Sequence, residues 1–207
     1  MNIYEIKKLF NGRFMLGDSN SKKVLMLDNK INEVKNELLR NSNLKDLLLD
    51  LFIMKAVIEL NDEQYPFEII NEIYEFDKFH LKALILEMRL ENWVYGIIQE
   101  KTINKINNVL LKNKNINSIY LSILKYYESF YNVELNNLDK GLKLIKQSLE
   151  CWDKNSSAYR LCGYILREMD ICDKSEEMYK LEKLNKNYYK INRSDYNWAD
   201  FNTCMYK

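Results

Sequence analysis

A chain of 207 residues, 47% of them hydrophobic, is long and apolar enough to bury a core instead of remaining disordered. Its 31 Lys and Arg stand against 30 Asp and Glu, a balance that excludes a general nucleic-acid binder, which needs surplus cations to displace counterions. With 5 Gly and 1 Pro, it lacks the turn and phosphate-loop material of sandwiches, barrels and Rossmann sheets, so an all-α fold joined by short polar links is expected.

The N-terminus, Met-Asn-Ile-Tyr-Glu-Ile-Lys-Lys, has no apolar core of signal-peptide length and no small-residue cleavage site, which predicts a soluble, cytoplasmic protein. Residues 1–27 form a separate segment in which Leu9-Phe10-Asn11-Gly12-Arg13-Phe14 reads either as a hairpin or as a short helix ending at Gly12. From Asn29 the period is helical, with Ile31, Val34, Leu38 and Leu39 on one face. Leu47 to Leu60 is the most apolar stretch, but its length and the charges of Asp50, Lys55 and Glu59 argue against a bilayer span.

The remainder, residues 28–189, reads as repeated helix pairs. First helices are expected to begin near Asp46, His80, Asn117 and Ser156, giving units of about 46–79, 80–116, 117–155 and 156–189. Second helices are marked by Ile69 and Ile73, by Ile106, Val109 and Leu110, and by Gly141, Ile145, Ser148 and Leu149. Turns at 75–78 and 151–154 close the first and third units, and the uneven intervals require a loop insertion, placed at 133–138. The tail, 190–207, carries Tyr196, Trp198, Phe201 and Tyr206, and is expected to cap the last pair or anchor a partner.

The unit from Ser156 to Tyr189 resembles a tetratricopeptide repeat. Tyr159, Gly163, Ser175 and Tyr179 match its aromatic and small positions, where Gly and Ser let two helices meet and aromatics fill the wedge between them. Tyr65 and Leu124 stand where small residues are usual, and no link between units contains Pro. The resemblance implies a right-handed superhelix of antiparallel helix pairs, with first-helix positions lining an inner groove. Those positions are Leu47, Asp50, Leu51 and Met54 in the first unit, Leu81, Leu84, Ile85 and Met88 in the second, and Ser157, Arg160, Leu161 and Tyr164 in the fourth. Partner binding is accordingly expected at Leu47, Leu51, Met54, Leu81, Leu84, Ile85, Met88, Arg160 and Tyr164. The partner is expected to be a protein offering an apolar or helical segment, since Met-bearing apolar grooves accept amphipathic helices. The competing reading is that residues 1–27 or the tail cover this surface.

Chemistry is sparse. There is no phosphate loop, dinucleotide fingerprint, His-Glu-x-x-His or nucleophile elbow. His80 is the single histidine and precedes a first helix, where capping or packing is expected. Glu176-Glu177 and Asp62-Glu63 read as solvated helix starts. Cys151, Cys162, Cys172 and Cys204 have no Cys-x-x-Cys spacing and read as reduced thiols, with Cys162 in the core; no metal and no cofactor is expected. Tyr120, Tyr126, Tyr127, Tyr131, Tyr159 and Tyr164 recur at helical spacing, mostly as core wedges, with a remainder able to face a partner. The expectation is a non-catalytic interaction scaffold. A free peptide-binding adaptor is the alternative, and an enzyme built on helix pairs is the weakest reading, since no nucleophile, base or metal cluster is visible.

A finer resemblance lies in Phe79-His80-Leu81-Lys82-Ala83-Leu84-Ile85-Leu86-Glu87-Met88-Arg89-Leu90-Glu91. It resembles the segment of subunit 2 of the ER membrane protein complex in which a His follows the inter-repeat turn and a Met-Arg-aromatic-Glu run ends the helix. Tyr126-Tyr127-Glu128 through Ser148-Leu149 is similar to a later repeat of that family. The resemblance implies a scaffold subunit without membrane spans, peripheral on the cytosolic face of the ER, in a complex that inserts transmembrane proteins. Glu87 replaces a Gly of that pattern, and the chain is shorter than typical members.

Overall fold

The computed structural model describes residues 20–61 and 63–191, and every regular element among them is helical. The expectations for the Asn11-Gly12 segment and for the tail beyond residue 191 lie outside the described residues. The described chain divides into two compact units, before and after the Leu90–Glu91 bond.

The first unit begins with α1 (Asn20–Leu38), which starts inside the segment assigned to a separate N-terminal element. The stripe explains this: Val24, Leu27, Ile31 and Val34 follow helical spacing, and the last three are buried. Leu39 lies beyond the helix end and is 89% exposed. A single 3-10 turn (Ser42–Leu44) leads into α2 (Lys45–Asn61), followed by α3 (Phe67–Phe76). In α2 nearly every side chain from Leu48 to Leu60 is buried, Phe52, Met54 and Ile58 among them. A helix apolar on all sides occupies the middle of a core. Half-exposed ion pairs tie its flanks: Lys55 Nζ to Asp28 Oδ1 at 2.7 Å, and Lys35 Nζ to Glu72 Oε2 at 2.6 Å, with Lys35 also over the Phe52 ring. The start of α4 (Leu81–Tyr95) closes this unit. The carboxylate of the buried Glu87 accepts a 2.6 Å hydrogen bond from the Tyr74 hydroxyl of α3, so the residue standing in place of Gly is satisfied from the preceding pair.

The second unit holds the end of α4, the short α5 (Glu100–Ile103), α6 (Lys105–Lys112), α7 (Ser118–Glu134), α8 (Leu138–Cys151), α9 (Ser156–Glu168) and α10 (Cys172–Ile191). First helices thus begin at Lys45, Leu81, Ser118 and Ser156, each within one residue of expectation. The joints between pairs are built alike. After α3, Asp77 turns the chain in extended conformation, and His80 Nδ1 accepts from the Ala83 N–H at 3.3 Å; after α8, Trp152 does the same, and Asn155 Oδ1 accepts from the Ala158 N–H at 3.1 Å. His80 is therefore a helix cap, as its position suggested.

In both complete pairs of this unit a hydroxyl on one helix donates to a glycine carbonyl on the other: Ser129 Oγ to Gly141 O at 2.8 Å, Ser175 Oγ to Gly163 O at 2.7 Å. Gly163 follows Ser129 by 34 residues, and Ser175 follows Gly141 by the same interval, the tetratricopeptide period. The links match too. Asn136 and Asp170 each take φ 59°, each after a helix end whose next amide reaches back to Asn132 O or Leu166 O at 2.8 Å. The insertion expected at 133–138 is therefore absent. The extra residues lie at the start of α7, which runs a turn longer than α9, so Ser129 and not Leu124 occupies the small position. Within the α7–α8 pair Ser122 Oγ lies 2.9 Å from Ser148 Oγ and Ser148 Oγ donates to Ser122 O, and Asn155 Nδ2, from the link to α9, donates to Ser122 Oγ, so these buried polar groups satisfy one another.

Two substitutions test this geometry by chemical denaturation. A Cβ on Gly141 would sit 2.8 Å from Val133 Cγ2, so Gly141→Val should cost about 2 kcal/mol by overpacking. Asp170 holds a left-handed conformation that glycine adopts without strain, so Asp170→Gly should gain about 0.5–1 kcal/mol despite the looser unfolded chain.

Candidate functional site

The sequence-derived positions separate sharply by unit. In the first, Leu51, Leu84, Ile85 and Met88 have no accessible surface, Met54 has 2%, and Leu47 and Leu81 are half-buried. These side chains do not form the open apolar groove expected of them; five of the seven are core. The reason is the composition of α2 and α4. In residues 48–60 and 83–90 the apolar side chains outnumber the charged ones, and all of those apolar side chains are buried, so they do not mark one open face. The density of apolar residues at 47–60, broken only by Asp50, Lys55 and Glu59, was the signal, and it indicates a central helix.

In the second unit the expected residues come together. Ser157, Arg160, Leu161 and Tyr164 of α9 line one cavity of about 610 Å³ with Tyr126, Phe130, Val133 and Glu134 of α7 and Tyr179 and Glu182 of α10. The 34-residue period accounts for the α7 contribution: Tyr126 and Phe130 stand one period before Arg160 and Tyr164. Sequence reasoning named no inner-face residues for the third unit, so it missed Phe130, Glu134 and Glu182 and left Tyr126 among core wedges. The floor under the cavity is a packed cluster that includes Val133, Ile145, Ala158, Leu161, Cys162 and Ile165. Burial there pushes the Cys162 thiol up to about 11, so it stays protonated and unreactive at neutral pH.

Polar groups are set on one side. Arg160 Nε and Nη2 both reach Glu182 Oε1 at 2.7 Å, and Lys186 Nζ reaches the same oxygen at 2.8 Å. Burial works against the Glu182 charge, but these two cations outweigh it and hold the carboxyl below the usual range. Burial also raises the Tyr126 hydroxyl above the ordinary phenol range, with the Arg160 charge partly offsetting it. Tyr164 is 39% exposed at the rim. Rings on a rigid helical wall with a few polar groups are the composition of a recognition site: large contact area with little side-chain entropy to lose. A second exposed apolar stretch, Trp93, Val94 and Tyr95 in the last turn of α4 and Ile97 just beyond it, flanks Gly96, whose φ of 70° ends the helix. The Glu91 carboxylate accepts from Gln99 N and Thr102 Oγ1 and sets this loop's shape. Among the described residues no group of three or more His, Cys, Asp or Glu is placed to hold a metal, and no helix is long and apolar enough to cross a membrane.

No protein-family model matches this chain. Its sequence is 24% identical over 184 residues to the human FYVE, RhoGEF and PH domain-containing protein 4, covering 84% of this chain and 22% of that protein, so the chain spans about a fifth of that relative's length. Among solved structures, a crystal structure of MamA aligns with a TM-score of 0.55 at 12% identity, covering 84% of this chain and 98% of that one. The MamA RS-1 ArsTM double mutant aligns with a TM-score of 0.57 at 8% identity, over 90% and 93% of the two chains. At such identities the likeness concerns the fold: this is an all-α, tetratricopeptide-like helical repeat.

The corrected placement has a direct consequence. Leu84→Asp or Met88→Asp puts a carboxylate where the native side chain has no accessible surface, so either should cost more than about 3 kcal/mol and lower the unfolding midpoint. An unchanged midpoint would mean these positions open to water.

Proposed function

We propose that this chain is a non-catalytic protein-interaction scaffold and that the cavity between α7, α9 and α10 receives a segment of its partner. One observation carries the reading. A cavity of about 610 Å³ brings together Tyr126 and Phe130 of α7, Tyr164 of α9 and Tyr179 of α10, and Phe130 and Tyr164 stand one repeat period apart. The fold supports it, because helical repeats present such faces as extended binding surfaces. The finer assignment, a subunit like subunit 2 of the ER membrane protein complex, rests on the resemblance of residues 79–91 and 126–149 and belongs to the same proposal. A free adaptor remains the alternative.

Affinity purification from cells expressing the tagged full chain tests both levels. Tyr164 is a rim residue, so Tyr164→Asp should leave the melting temperature within a degree or two while depleting the principal partner by about tenfold or more. Co-purification of several integral membrane proteins favours the membrane-complex reading; a single soluble partner favours the adaptor. If Tyr164→Asp keeps every partner while Ile97→Asp loses them, the interface is the loop after α4 and the cavity is not the site.

A further inference from the structure

Hydrogen-bond donors gather at one end of the cavity, and most of them are unspent. Tyr126 and Arg160 stand one repeat period apart in the lining, and the Arg160 charge reaches the Tyr126 hydroxyl. Burial desolvates that hydroxyl, and no described residue hydrogen-bonds it. Ser157, one turn before Arg160 and also in the lining, is exposed, and its hydroxyl is likewise unpaired among the described residues. Arg160 meets Glu182 with Nε and Nη2, one edge of its guanidinium, which leaves the Nη1 donors for a second acceptor. Glu182 does not cancel this end toward solvent. Its side chain is 10% exposed and serves two cations, Arg160 at 60% and Lys186 at 49%, so the cluster sums to one positive charge with its positive members outward. α9 begins here with no acidic residue in its first turn, and its amide dipole has the same sign. Glu134, the remaining charged lining residue, lies eight residues after Tyr126 on α7, about 12 Å along the helix. With Glu134 counted, the charges sum to zero; their separation is what distinguishes the two ends.

Resting on the reading that this cavity is the partner site, we propose that its occupant is a peptide segment in which an aspartate or glutamate side chain neighbours a large apolar one. The carboxylate sits at the end formed by Tyr126, Ser157 and Arg160, and the apolar side chain lies among the rings of Phe130, Tyr164 and Tyr179. A cavity of this size holds both. A carboxylate suits that end better than a neutral amide, because it only accepts, offers two oxygens, and meets the outward charges of Arg160 and Lys186. A lysine or arginine placed there would meet donors and like charge.

The test is selection of a random peptide library, displayed within a loop so that no peptide has a free terminus, on the full-length chain. Synthetic copies with both ends blocked are then bound to wild type, Tyr164→Ser, Arg160→Gln and Tyr126→Phe, with melting as the check on folding. The inference expects peptides that depend on Tyr164 and are enriched in Asp or Glu next to a large apolar residue. Arg160→Gln should weaken them by about tenfold at low salt and by less at high salt, and Tyr126→Phe by roughly three- to tenfold. Copies in which the acid is changed to its amide should bind wild type more weakly and lose little further on Arg160→Gln. Should Arg160→Gln melt early, Tyr126→Phe decides alone, since it removes an oxygen that no described residue hydrogen-bonds. Peptides that depend on Tyr164 but lack an acid, or that bind Arg160→Gln and Tyr126→Phe as well as wild type, overturn the acidic-segment inference and leave the cavity as the partner site. Peptides indifferent to Tyr164→Ser, or none at all, overturn both.

Discussion

Everything in the second unit depends on two crossings at which a serine hydroxyl meets a glycine carbonyl. A Cβ on Gly141 would sit 2.8 Å from Val133 Cγ2 and one on Gly163 3.0 Å from the Tyr179 ring, so both crossings are tight, and in each the serine donates into the opposing backbone instead of leaving its hydroxyl buried and unpaired. This constraint sets the distance between the partners of each pair. Because the crossings recur at one period, it also sets which residues of α7 and α9 share a face. Tyr126 and Phe130 thereby become neighbours of Arg160 and Tyr164, and a cavity forms where four aromatic side chains converge with a carboxylate-bound arginine. The Tyr179 ring, packed 3.0 Å from where a Gly163 Cβ would stand, belongs to crossing and cavity alike.

The first unit shows what happens without such crossings. Glu87 occupies the small position and is held by the Tyr74 hydroxyl, and the core is filled by large aliphatic side chains on helices buried all round. Among the described residues of this unit the volume between helices is filled by Leu, Ile, Met and Phe. The two halves of the chain therefore make different use of one supersecondary unit: one as packed core, the other as a wall with a cavity in it.

Helix content, the starts of all four first helices, the capping role of His80 and the core placement of Cys162 were legible in the sequence, because each rests on a local signal: periodicity, a polar residue before an apolar run, a small residue at a fixed offset. The groove was legible only in the fourth unit, where Gly163 and Ser175 anchor the count. In the third, α7 extends a turn before the repeat begins, and nothing local marks the difference between a longer helix and a longer loop. Counting from the helix start put the small position at Leu124 instead of Ser129, and no inner-face residue of that unit was identified. In the first two units the inner-face positions were identified by analogy with repeats whose helices are amphipathic. Residues 48–60 and 83–90 are not amphipathic, and the analogy fails for that reason.

The account's central claim is that a partner enters the cavity of the second unit. A photo-crosslinking residue in place of Tyr164 in the full-length chain, compared with the same residue in place of Ile97, tests it most directly, since both positions are exposed and lie in the same unit. The account predicts a covalent adduct to the partner from position 164 and none, or far less, from 97. Efficient capture from 97 with none from 164 would contradict it.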